Sequence, residues 1–376
     1  MTATIQSQRP VAAPAVDSST WSRIQEKVGR SERLTRDEGL YLLREAELLS
    51  LGQLANTVRF RHNPERAVTF VIDSNPNYTN VCVTDCVFCA FYRKPGHAEG
   101  YALTVEQVME KIQKSVDLGA TTVLLQGGHN PEIPFDYYPT LVRETRRRFP
   151  QVTPHFFTAS EITHMAQWSN QTIRQVLERL QDAGQTTLPG GGAEILSDRI
   201  RRRLATKKGP AEAWLTVHRQ AHQLGWKSTA TMMFGHIEED VDILDHFEHI
   251  RALQDETGGF TAFVPWTFKP GNTPLEKHIA QHVSPTRYLR VLAAARLYLD
   301  NFQHIQASWF SEGKKTGQIS LHFGSDDFGG TLFEENVHAA TDFINKTTVE
   351  EIATLIRESG FTPIQRTTLY DRLRSW

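Results

Sequence analysis

The sequence holds three cysteines, all close together: Cys82, Cys86 and Cys89, in the segment NYTNVCVTDCVFC that begins at Asn77. The spacing is C-x3-C-x2-C. Thiolates are soft ligands that suit iron–sulfur clusters and zinc. A cubane cluster has four irons and this chain offers three thiolates, so one iron is left for a non-cysteine ligand. An open iron can take the amino and carboxylate groups of an amino acid, such as the methionine end of S-adenosylmethionine (SAM). Three other readings stand beside this one. The thiols can be buried structural residues. A structural zinc needs a fourth ligand, for which His97 is the nearest histidine after the motif. A ferredoxin-like electron carrier normally supplies a fourth cysteine.

Other segments carry residues suited to a ligand site. Gln126-Gly127-Gly128-His129-Asn130-Pro131 holds two glycines that let backbone approach a ligand, or form a turn. Ser160-Glu161 offers a hydroxyl and a carboxylate. Gly190-Gly191-Gly192-Ala193-Glu194 spends conformational freedom on three glycines before an acid. For Glu161 and Glu194, a surface or helix-capping role competes with a ligand role.

The elements that position these segments read as an alternation. Residues 1–18 are rich in Ala, Pro, Ser and Thr and are expected to be disordered. Residues 19–66 read as an amphipathic helical extension. From 67 to 376 short apolar runs alternate with longer helical ones. Strands are expected at 68–72, 121–125, 155–158, 186–188, 228–232, 260–264, 304–307 and 318–323, with helices between and at the C-terminus. Such alternation implies parallel pairing through right-handed crossovers, and eight units favour a closed (β/α)8 TIM-type barrel. Barrel active sites lie at the C-terminal ends of the strands. The cysteine loop and the Gly-Gly, Ser-Glu and triple-glycine segments each follow an expected strand, on that one face.

Composition bounds the function class. The chain has 376 residues, against about 250 for a typical barrel. Lys+Arg number 41 and Asp+Glu 43, for a net charge of -2, which gives no basic field for nucleic acid or a membrane surface. No apolar run approaches the roughly 18 residues of a membrane span. The start of the chain does not read as a secretory signal, and clustered, odd-numbered thiols do not suit a disulfide framework. A cytoplasmic location is expected.

Beyond the thiol motif, the chain from about Ala67 to Asp342 resembles the dehypoxanthine futalosine cyclases, radical SAM enzymes of the futalosine route to menaquinone. The resemblance is carried by NYTNVCVTDCVFCAFYR from Asn77, QGGHNP from Gln126, LPGGGAEIL from Leu188, VPWTFKPG from Val264, QASW from Gln306 and LHFGSDDFGGTLFEEN from Leu321. It implies a 4Fe-4S cluster on the three cysteines and SAM on the open iron, with Phe88 near the adenine. It further implies that Gly127 and Gly128, with His129 where relatives carry an acid, hold the SAM amino group through backbone carbonyls. Ser160 and Glu161 would meet the ribose, and Glu194 either SAM or substrate. A 5′-deoxyadenosyl radical would take hydrogen from the ribose of dehypoxanthine futalosine, and the carbon radical would add to the substrate's benzoate ring. Arg93 is the candidate for the benzoate carboxylate, with a structural role as its alternative. Trp266 and Phe268 are candidates to stack on substrate or to pack the core. His322 and Asp326, near the end of the expected eighth strand, are candidates for the base that restores aromaticity. A reduced donor such as flavodoxin or ferredoxin would supply the electron. Aminofutalosine synthase and deazaflavin synthase are the alternatives within this group. A non-catalytic iron–sulfur protein is the alternative outside it.

Overall fold

The computed structural model describes residues 18–279 and 282–376. The expectation for 1–18 falls, apart from Ser18, outside the described residues. Among the described residues eleven strands occur: β1 Ala67–Val71, β2 Asp73–Ser74, β3 Thr122–Leu125, β4 Thr153–Phe156, β5 Thr187–Leu188, β6 Lys227–Phe234, β7 Phe260–Thr267, β8 His304–Ile305, β9 Asp327–Gly330, β10 Thr362–Arg366 and β11 Arg372–Ser375. β1 and β2 are one run broken at Ile72. Counted so, eight parallel positions close a TIM-type α/β barrel with helices outside.

The hydrogen-bonded groups are β11-β10-β1-β9, β2-β3-β4 and β5-β6-β7-β8. Backbone bonds from Asp326 N to Ile305 O (3.1 Å) and from Ala307 N to Asp327 O (2.8 Å) join β8 to β9. Between β4 and β5 side chains make the link: Gln185 Nε2 donates to Phe156 O and Thr187 Oγ1 to Pro154 O.

The extension is helical, as its pattern indicates, in three pieces: Ser18–Gly29, Arg36–Arg44 and Leu48–His62. The second begins at a capping box, with Thr35 and Glu38 each bonding the other's backbone. Gly39 and Gly52 seat these helices closely: a Cβ at either would come within 2.7 Å of Leu244 and Tyr298, or of Phe323. The extension therefore packs onto the barrel.

Three expectations are corrected. The strand expected at 318–323 is the end of helix Lys314–Ser320 and a turn, and the eighth position is β9. Buried Leu321 and Phe323 two residues apart imitate strand alternation. The true strand, Asp-Phe-Gly-Gly, reads as a turn, but its glycines serve close packing: a Cβ at Gly329 would meet Gln306 Nε2 at 2.9 Å. Second, helix Ala159–Trp168 was not expected. Thr158 caps it in a Thr-x-x-Glu box with Glu161. Third, the C-terminal segment is not only helical. After helix Val349–Glu358, β10 pairs with β1 in parallel from Ala67↔Thr362 to Phe70↔Gln365, and β11 pairs with β10 antiparallel.

Candidate active site

The cysteine loop leaves β2 and lies over the C-terminal ends of the strands. Asp85 has φ +43, left-handed backbone that Asp tolerates better than most residues. It curls the loop so that Cys82 Sγ and Cys86 Sγ lie 2.9 and 3.5 Å from the same Thr84 hydroxyl. Lys207 fixes Asp85 at 2.9 Å. His129 N–H donates to Cys82 Sγ at 3.3 Å. Burial pushes the Cys86 thiol up to about 11 and the Cys89 thiol up as well. Among the described residues no three His, Cys, Asp or Glu side chains form a group that could hold a metal ion. A cubane does not require such convergence, because each thiolate goes to a different iron.

The three thiols line a cavity of about 180 Å³, together with Phe88, Gly127, Gly128, Ser160 and Glu194. Glu194 is buried, with Lys208 at 2.9 Å from Oε1 and Arg201 at 3.6 Å from Oε2, and Oε2 has no hydrogen-bond partner. Burial works against the Lys208 ammonium, but Glu194 and the thiols outweigh it and raise its pKa. Lys208 also sits 5.4 Å over the Phe88 ring. Burial, with Lys208 and His164 acting the same way, holds the His129 imidazole neutral well below its usual range. The sequence reading missed Lys208, whose basic run looks like a solvated surface.

A second cavity, of about 220 Å³, occupies the barrel lumen. It meets the first at Gln126, Gly191, Trp266 and Val337. Arg366, Thr368 and Tyr370, from the end of β10 and the turn beyond, also line it.

Several expected site residues have other tasks. Both Glu161 oxygens are engaged: Oε1 accepts from Tyr78 Oη (2.7 Å) and Gly127 N (3.0 Å), Oε2 from Thr158 N (2.7 Å) and Thr158 Oγ1 (2.8 Å). Glu161 thus ties the Gly-Gly turn to a helix start and is not free for a ribose. Glu161→Ala is expected to lower stability by about 0.5–2 kcal/mol from the lost cap alone, read by urea unfolding. Weaker cofactor binding at unchanged stability would return Glu161 to a ligand role. The glycines accommodate protein: a Cβ at Gly127 would meet the Tyr78 ring at 2.6 Å, and one at Gly128 would meet Val81 O at 2.1 Å. Arg93 lines neither cavity. Its guanidinium pairs with Glu99 at 2.7 Å and donates to the carbonyls of Ala90, Phe91 and Tyr92. It braces the cysteine loop. His322 is exposed, its Nε2 3.1 Å from Ser359 O. Asp326 is buried just before β9, at the N-terminal end of the barrel, bonded to Arg296 and His304. Neither lines the lumen. Ser160 lies beside His129, Oγ to Nε2 3.2 Å. Trp266 stands where the cavities meet, whereas Phe268 lines neither and packs near His236.

A parallel barrel with a three-thiol loop over its strand ends, beside a cavity in its lumen, defines a class of cluster-dependent enzyme. The chain belongs to the radical SAM superfamily: residues 76–250 match the Radical SAM superfamily, and residues 257–375 match the CofH/MqnC C-terminal region. It is 41% identical over 353 residues to the cyclic dehypoxanthine futalosine synthase of Halalkalibacterium halodurans, covering 94% of this chain and 95% of that one. It is 40% identical over 357 residues to the aminodeoxyfutalosine synthase of Thermus thermophilus, covering 94% and 96%. Overall identity therefore does not separate these two reactions. Among solved structures it resembles HydG, a maturase of the FeFe-hydrogenase, with a TM-score of 0.76 and 16% identity over 95% of this chain and 78% of that one, a likeness of fold. The chain is thus a radical SAM enzyme whose cofactors are a 4Fe-4S cluster and SAM. The residues present fit both: three thiols on one cavity wall, an amide aimed at a sulfur, and a buried carboxylate oxygen left without a hydrogen-bond partner. Among the described residues no helix is long and apolar enough to cross a membrane.

Proposed function

We propose that this chain cyclises dehypoxanthine futalosine by radical chemistry. The observation that carries the reading is the adjacency of the two cavities: the thiol-lined cavity and the lumen share Gln126, Gly191, Trp266 and Val337, so a radical formed beside the thiols lies next to the space that would hold the substrate. The resemblance in the Phe-Tyr-Arg that follows Cys89 and in the Pro-Trp-Thr-Phe segment from Pro265 favours the cyclase. Cys82, Cys86 and Cys89 would hold the cluster, and Phe88, Ser160 and Glu194 would contact SAM. When bound, the reduced cluster and SAM supply a 5′-deoxyadenosyl radical. The protein's task is then to hold ribose and ring in near-attack geometry and exclude competing hydrogen donors. Trp266 lines both cavities. Arg366, anchored on Asp327 with Nη2 to Oδ1 at 3.0 Å, is the guanidinium that lines the lumen. It takes the place foreseen for Arg93, toward the benzoate carboxylate.

The test is an anaerobic incubation of reconstituted enzyme, dithionite, SAM and dehypoxanthine futalosine, read by mass spectrometry. The expected product is two hydrogens lighter than the substrate and forms with 5′-deoxyadenosine. A second reading, aminodeoxyfutalosine synthesis, has the 40% identical relative in its favour. Deoxyadenosine without the lighter product would favour that reading.

A further inference from the structure

Cyclisation leaves a proton to be removed inside the barrel, and neither His322 nor Asp326 reaches the lumen. Asp73 does. It opens β2, near the C-terminal end of the first strand run, is 3% exposed and lines the lumen. Thr331 fixes its backbone from both sides: Asp73 N–H donates to Thr331 Oγ1 at 2.9 Å, and that hydroxyl donates to Asp73 O at 2.8 Å. The carboxylate takes one backbone hydrogen bond, from Leu332 N–H to Oδ1 at 2.8 Å. Gly330 makes room for it, since a Cβ there would fall 2.1 Å from Oδ1 and 2.2 Å from Oδ2. The carboxylate is thus seated by backbone on a notch that no other residue would leave open.

The charged and titratable groups around it are few. Arg366 on β10 pairs with Asp327 on β9 through Nε and Nη2 and donates from Nη1 to Thr367 O, which leaves two of its N–H bonds for a second carboxylate. His155 on β4 is held down at about 3, and His338 in the loop after β9 likewise at about 3, both by burial, so both are neutral near pH 7. Glu335, in the same loop, accepts the amides of Val337 (3.0 Å) and His338 (2.8 Å) and so anchors that loop. Tyr370 is buried and its pKa is raised far above the usual range. Asp73 itself is pushed up to about 6 by burial, aided by Asp327 and opposed by the Leu332 amide and Arg366. It is therefore anionic at pH 7 yet basic for a carboxylate.

We propose that Asp73 is the base that takes the ring proton in the rearomatising step, an inference that rests on the cyclisation reading. The new bond joins the ribose carbon to a ring carbon that still bears hydrogen, leaving a delocalised ring radical. The ring C–H bond then breaks. Its proton goes to the Asp73 carboxylate, its electron pair restores the aromatic sextet, and the unpaired electron leaves to an oxidised iron–sulfur centre as one-electron acceptor. With the benzoate carboxylate at Arg366, the ring lies in the same lumen that Asp73 lines.

The experiment compares wild type and Asp73→Asn, counting cyclised product per 5′-deoxyadenosine, with substrate affinity measured separately. Asn preserves the Leu332 hydrogen bond. Asp73→Asn should still cleave SAM and bind substrate, while product per deoxyadenosine falls about a hundredfold. In wild type the ratio should fall as pH drops through about 6, because the carboxylate is the active form; in Asp73→Asn it should be flat. If Asp73→Asn does not fold, Gly330→Ala displaces the carboxylate with its charge intact and should lower the ratio too. The wild-type pH series needs no variant. An unchanged ratio in Asp73→Asn, or a flat wild-type series, overturns the proposal. So does a pH response that survives in Asp73→Asn and is lost in Glu335→Gln. A wild type that forms deoxyadenosine and no cyclised product overturns the cyclisation reading, and the role of Asp73 with it.

Discussion

Replacing Cys86 with alanine is expected to abolish reductive cleavage of SAM and to leave the barrel folded. Cys86 is one of three thiols in the sequence, 4% exposed, on the wall of the cavity that also holds Phe88 and Glu194. With two thiolates left, no cysteine elsewhere can substitute, and the cluster loses an iron ligand. The fold should tolerate the change. The thiol belongs to a loop over the strand ends, and the loop's course is set by Asp85, Lys207 and backbone bonds such as Cys82 N to Arg93 O at 2.8 Å. Iron content and 5′-deoxyadenosine yield should fall to background, while the circular dichroism spectrum stays native. Turnover retained by Cys86→Ala would remove the thiols from the cluster.

Asp326→Asn is expected to act on stability and not on chemistry. Arg296 and Asp326 are both buried, and the pair also takes in His304. Removing one charge leaves the guanidinium uncompensated, a loss of about 3–5 kcal/mol. Burial alone would raise the Asp326 carboxyl; Arg296 and His304 outweigh it and hold it at about 2, against about 3.9 for a free Asp. Because the folded value is the lower one, the pair's stabilisation is complete above about pH 4 and is lost as pH falls toward 2. Urea unfolding of wild type and Asp326→Asn across this span should show the difference shrinking on acidification. Turnover per folded molecule should be unchanged at pH 7. Lost turnover at unchanged stability would restore Asp326 as a base.

The barrel was legible because its alternation of strand and helix is a repeated signal, and seven of the eight expected strands overlap the strands found. The eighth failed where two rules competed. Gly329 and Gly330 look like a breaker, but one packs against Gln306 and the other clears a space beside Asp73. Sequence spacing cannot show a neighbour that arrives from across the barrel. The same limit explains the site. The cysteines announce themselves by type and spacing. Lys208 and Arg366 do not, because a cation in a basic run, or at a strand end, gains meaning only from the acid it meets. Glu161 carried a readable signal, the Thr158-x-x-Glu161 capping box, which points to a helix start. Asp73 was also within reach, as an acid at the C-terminal end of the first strand, the face where barrel chemistry sits.

The pairing of β1 with β10 has a consequence for how the protein is made. The register Ala67↔Thr362 joins segments about 300 residues apart, so at about 5–20 residues per second β1 leaves the ribosome some 15–60 s before β10 follows. Through that interval β1 presents an open backbone edge, and the lumen lacks the wall later supplied by Arg366, Thr368 and Tyr370. A nascent chain of this protein has an extended need for shelter from wrong strand partners. A message cut about fifteen codons short, before β10, would yield an enzyme with every cysteine in place and no finished chamber for its radical.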